Sequence, residues 1–153
     1  LALAALAVLD CIGDAAARRP GNERTLALDT PRKVVAIQFR STSLKGWRAA
    51  GAKLVVHFER GRCEGHLLAG YAAKFDEKAW PARTAPPSIV VPCAEAGAGW
   101  WEIDLPGAIA QRLVDEPNGA IVLASPAKRG GPVLHSRETM TFTPRLLVEG
   151  VAP

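Results

Sequence analysis

Apolar side chains recur at every second position in three separate stretches of this chain, and that spacing leaves few folds open. In Lys33–Arg40, Val35, Ile37 and Phe39 share one side while Gln38 and Arg40 share the other. In Ala52–Glu59, Leu54, Val56 and Phe58 alternate with Lys53, His57 and Glu59. In Gly99–Leu105, Trp101, Ile103 and Leu105 alternate with Trp100, Glu102 and Asp104. Successive side chains of a strand point to opposite faces, so each stretch predicts a strand with one face in a core and the other in water. Further strands are predicted at His66–Ala73, Ser88–Val91, Ala120–Ala124, Val133–His135 and Arg145–Val148.

The connections are rich in residues that break regular structure. Gly61–Gly65 reads as a hairpin loop, Pro81–Pro87 as an extended loop, and Glu116–Gly119 and Arg129–Pro132 as turns. With Gly 14 and Pro 12 in 153 residues, long helices are unlike this chain. One short helix is predicted near residues 105–114. Asp104 would cap it, Pro106 would sit in its first turn, and Ile109, Leu113 and Val114 would form its buried stripe. Many short strands with one late helix predict an all-β protein, an antiparallel β-sandwich or jelly roll.

The length suits one domain with a substantial core. Hydrophobic residues at 48% against 22% charged exclude disorder as the main state. A net charge of +4 favours acidic partners without calling for nucleic acid. The apolar run Leu1–Leu9 is too short to span a bilayer. Residues 1–7 read as the end of a secretory signal peptide, with an edge strand or short helix as the other reading; residues 8–153 form the single domain. In an exported protein one disulfide plus one buried thiol is expected from Cys11, Cys63 and Cys93, and Cys63–Cys93 is the pair to test first. A zinc site is disfavoured, because Cys63 and His66 supply two ligands and a structural site needs four.

Several segments, taken in order, carry a resemblance. They are Val35–Leu44 followed by Gly51–Val56, the Trp80-Pro81 and Pro86-Pro87 loop, Gly99–Leu105, Asn118–Leu123, and His135–Glu138 with Pro144–Val148. From about Asp10 to Glu149 this order resembles the DNRLRE-domain family, which overlaps carbohydrate-binding module family 96. Leu105-Pro106 replaces the family's usual Val-Thr, Arg40 stands where an Asp often follows the Phe, and three cysteines are not a family hallmark. The resemblance implies a secreted, extracellular jelly-roll module, appended to a larger multidomain or surface protein and associated with acidic polysaccharides such as alginate.

A sugar binder needs aromatic faces and polar forks. Trp100 is the best aromatic candidate by its outward phase, with burial under a loop as the alternative. Lys33, Arg40 and Lys53 are outward cations on strands that would lie side by side, and Arg48, Lys74 and Arg83 lie in loops; a solvated strand face is the other account of each. Trp80, Trp101, Arg137 and Glu138 are read as structural, and Trp47 and Tyr71 as packing. His57, His66 and His135 form no recognisable triad, and no catalytic motif occurs. Glu102 and Asp104 could pair for glycoside hydrolysis, but Asp104 already has a role as a helix cap. No cofactor is expected; a structural calcium ion is common in such folds, yet clustered acidic loop residues are missing. The sequence therefore points to a non-catalytic carbohydrate-binding module for an acidic polysaccharide. The alternatives are a structural or adhesive surface module without sugar binding, and a polysaccharide lyase or hydrolase fragment.

Overall fold

The computed structural model describes residues 4–16, 19–20, 25–28, 34–76, 87–126, 131–136 and 139–153. The elements are β1 (Ala4–Ala16), β2 (Arg19–Pro20), β3 (Thr25–Ala27), β4 (Val35–Phe39), β5 (Arg48–Arg60), β6 (His66–Ala72), β7 (Ile89–Gly97), β8 (Trp100–Pro106), α1 (Gly107–Asp115), β9 (Ala120–Ala124), β10 (Val133–His135) and β11 (Arg145–Val151). The protein is all-β with one α-helix. Eight strands close into an antiparallel barrel in the order β1-β4-β9-β6-β7-β8-β5-β11, because β11 pairs with both β5 and β1. β10 continues outward from β5 and carries β3, while β2 pairs with β1.

Two strands belong to both walls. β1 pairs with β11 over Ala4–Asp10, shifts register between Cys11 and Gly13, and then pairs with β4. β7 pairs with β6 through Pro92 and with β8 from Cys93 onward. These corners give the barrel a front wall (β1, β11, β5, β8, β7) and a back wall (β1, β4, β9, β6, β7). Strands that switch sheets through bulges make such corners.

The alternation read from the sequence sets the inside. Val35, Ile37, Phe39, Leu54, Val56, Phe58, Trp101, Ile103 and Leu105 are all buried in one core with Leu9, Leu67, Leu123, Leu146 and Val148. The back wall is also covered outside, where Ala36, Ala72, Ala120 and Val122 form a small cluster under Val34 and Phe75. The front wall keeps its outer side in water.

Several local expectations need correction. Gly61–Gly65 is not a hairpin: β5 and β6 do not pair, and the loop arches from the front wall to the back. The tight hairpin is instead Gly97-Ala98-Gly99 between β7 and β8, with all three residues at positive φ. Asp104 does not cap the helix. It ends within β8 and points outward, and Pro106 occupies the cap position with no side-chain bond. The helix buries Ile109, Ala110 and Leu113, while Val114 is half-buried. It is anchored through Gln111, which accepts from the Ala49 N–H at 2.8 Å and donates to Trp47 O at 3.2 Å. Ala4–Ala7, within the segment read as the end of an export signal, pair with Val148–Val151 in β1. Its alternation is inverted in size: Leu9 and small alanines face inward, and Leu6 and Val8 stand about 60% exposed.

Candidate functional site

The outer face of the front wall can be mapped from its pairings. Asp104, Glu102 and Trp100 on β8 stand beside Lys53, Val55 and His57 on β5. Leu147 and Arg145 on β11 flank Lys53 and Val55, and Val8 and Asp10 on β1 complete those two rows. At the far edge Gly51 faces Glu149, which faces Leu6. Having no side chain, Gly51 helps open a groove of about 390 Å³ lined by Leu6, Lys53, Asp104, Leu147 and Glu149.

Lys53 sits in the middle of this face between two carboxylates. Its Nζ donates to Glu102 Oε2 at 3.2 Å and lies 3.9 Å from Asp104 Oδ1. The hydrogen bond to Glu102, then the fields of Glu102 and Asp104, hold the ammonium above its ordinary pKa. Both carboxylates are open to solvent, at 40% and 62%. Within these rows Asp10, Glu102, Asp104 and Glu149 outnumber Lys53 and Arg145.

Trp100 keeps its outward phase but is half-buried by an aromatic cluster at one end of the face. His57 packs edge-on against it with ring centroids 5.1 Å apart. Phe142, from the β10–β11 connection, stacks on His57 at 3.9 Å and on His135 at 4.8 Å, and lies 6.1 Å from Trp100. The two imidazoles meet at Nδ1···Nδ1 2.9 Å, and His57 Nε2 lies 3.0 Å from Ala98 O. A carbonyl only accepts, so His57 Nε2 carries a proton. In the tautomer with its ring proton on Nε2 alone, His57 accepts at Nδ1, and His135 Nδ1–H is the donor. Burial first, then the neighbouring His57, push His135 below its ordinary pKa, while Glu59 opposes them. Sequence reasoning treated these histidines as dispersed. The signal that could have joined them is the outward phase of His57 next to Trp100.

The other candidates separate. Lys33, Arg83, Trp80, Arg137 and Glu138 lie outside the described residues. The strands bearing Arg40 and Lys53 are not side by side: β4 pairs with β1 and β9, in the opposite wall from β5. Arg40 and Arg48 are exposed at the two ends of the β4–β5 connection, with exposed Lys45 between them. Lys45 was not singled out from the sequence. Lys74 is exposed beyond β6, on the back wall. Trp101 is buried and stacks on Phe58 at 4.9 Å, as its inward phase required. Tyr71 packs under the Arg112 guanidinium and donates to Glu116 O at 2.5 Å. Burial, then Glu116, push its phenol up to about 12. Cys63 and Cys93 are joined by a disulfide with Cα atoms 6.4 Å apart, and Cys11 stays outside it, half-buried rather than buried, with Sγ 3.5 Å from Gly13 O. Among the described residues no cluster of three or more His, Cys, Asp or Glu could hold a metal ion, and no helix is long and apolar enough to cross a membrane.

Compared with protein-family models and with curated protein sequences, the chain matches none.

Proposed function

We propose that this domain is a non-catalytic carbohydrate-binding module that meets a polysaccharide on the outer face of its front wall. The observation that carries the reading is the row Trp100–Glu102–Asp104 with Lys53 beside it, half-buried at Trp100 and open to solvent at the two carboxylates. An aromatic ring at one end and charged hydrogen-bonding groups along the wall suit the apolar faces and hydroxyls of a sugar chain. Catalysis has less support, since Glu102 and Asp104 share one lysine and stand in water.

Whether the polymer is acidic rests on a different segment. Lys53 is already neutralised by two carboxylates, so uronate recognition would fall to Arg40, Lys45 and Arg48 on the β4–β5 connection. The resemblance to the DNRLRE-domain family supports an acidic polymer, and the acid-rich front wall favours a neutral one. The jelly-roll form belongs to the same reading. Of the eight barrel strands in chain order, the first pairs with the second and eighth, the third with the sixth and eighth, and the fourth with the fifth and seventh. That succession supports a jelly roll whose two sheets are joined at their corners. The disulfide supports an oxidising, extracellular setting and a place in a larger surface protein.

A structural or adhesive role is the second reading, favoured by exposed Leu6 and Val8 beside Leu147. Affinity electrophoresis through gels containing alginate, chondroitin-like, pectic or neutral glucan polymers separates the two. Retardation that weakens with salt and is lost in an Arg40→Ala/Arg48→Ala variant supports an acidic polymer. Retardation lost in Trp100→Ala but insensitive to salt supports a neutral one. Free migration through every polymer removes the sugar-binding reading in favour of the adhesive one.

A further inference from the structure

We propose that His57 and His135 form a proton-operated latch that holds the Phe142 loop over Trp100. The Ala98 carbonyl orients His57, and the pair is closed by one N–H between two Nδ1 atoms 2.9 Å apart. Phe142 lies stacked over both rings. Within its loop, Thr139 Oγ1 donates to Ser136 O at 3.0 Å and the Phe142 N–H donates to Thr139 Oγ1 at 3.1 Å.

One added proton leaves this chain intact, because it can sit on His135 Nε2 while Nδ1–H still donates. A second proton has only His57 Nδ1 to go to. It sets N–H against N–H across the same gap and places two cations side by side. The Nδ1 contact is then lost, the rings part, and Phe142 loses the surface it stacks on. Trp100, which touches both His57 and Phe142, is uncovered by the same step. Among the described residues, the charged groups nearest the pair along the strands and across the register are Glu59 and Arg60 on β5, Glu102 on β8 and Arg145 on β11. Of these, Glu59 acts on His135 and favours its charged form. Acid therefore opens the latch, below the pH at which His135, itself held below its ordinary pKa, takes up the first proton. It stands whether or not Trp100 meets a sugar.

The test is NMR on the intact chain at about pH 7.5 and about pH 5. It follows the two imidazoles, the Trp100 indole N–H and exchange of the Phe142 amide. After correction for intrinsic exchange, protection of the Phe142 amide should fall about tenfold or more on acidification, in step with the imidazole shifts. His135→Phe keeps an aromatic under Phe142 and removes the proton site, so the acid response should vanish. Phe142→Ala at neutral pH should give the Trp100 signal that the parent shows in acid. The latch is overturned if both imidazoles charge while the Phe142 and Trp100 signals stay put. It is equally overturned if His135→Phe keeps the acid response, or if Phe142→Ala leaves Trp100 unchanged.

Discussion

Replacing both Cys63 and Cys93 by alanine tests how the two walls are held in register. Cys93 sits where β7 leaves β6 for β8, and Cys63 sits on the arch from β5 to β6. The Cys93 N–H also donates to Gly65 O at 3.1 Å, so the bridge fixes the arch against a barrel corner. The two cysteines are 30 residues apart in sequence. Closing a loop of that length in the unfolded chain removes entropy equivalent to about 3.6 kcal/mol at 25 °C. Both side chains are buried, so losing the sulfurs adds a packing cost of about 1 kcal/mol. For a domain of this size the closure entropy alone corresponds to a fall in Tm of roughly 10 °C. Urea denaturation of the parent with and without reductant, alongside the double variant, measures it. The reduced parent should lose stability close to the closure estimate, and its denaturant slope should rise because an unbridged chain exposes more surface when unfolded. The double variant should ignore reductant. A loss under about 1 kcal/mol in the reduced parent would refute the closure-entropy argument for this loop.

Other outcomes follow from single side chains. Adjacent tryptophans should behave oppositely: Trp101→Ala, which empties a stacked core site, should cost about 3–5 kcal/mol in chemical denaturation, and Trp100→Ala distinctly less. Tyr71 is the one tyrosine of the chain, so phenolate absorbance follows it alone, with a midpoint at about 12 that moves down in Glu116→Gln. Since the folded value lies above the unfolded one of about 10, this phenol's share of stability is intact below about pH 10 and is lost as pH climbs through about 12. An alkaline melting series checks that sign. Gly99→Ala should cost about 1–3 kcal/mol in a thermal melt. Gly99 has φ +83°, an added Cβ would lie 2.7 Å from His57 Nε2, and the His57 resonances should therefore shift as well.

Much of the architecture was legible because period-two alternation is a local property. The inward sets of β4, β5 and β8 are those the spacing named, and the helix falls where Pro106 and Pro117 bracket an apolar stripe. β1 entered only as the other reading of residues 1–7, because apart from Leu9 its inward residues there are small alanines while Leu6 and Val8 face out, the reverse of the pattern that marks a strand. The candidate site was half legible. Outward phase put Trp100, Glu102, Asp104 and Lys53 on the solvent sides of their own strands, but nothing local joins those two strands or tells a cap from a salt-bridge partner, and Asp104 turned out to be the latter.

Each strand's two faces were decided by the sequence alone, since alternation needs only neighbouring residues. Which strands became neighbours was decided by tertiary structure, because the ring closes through contacts between residues far apart in the chain. That closure set Arg40 and Lys53 on opposite walls. It also brought His57 and His135, 78 residues apart, within one hydrogen bond of each other.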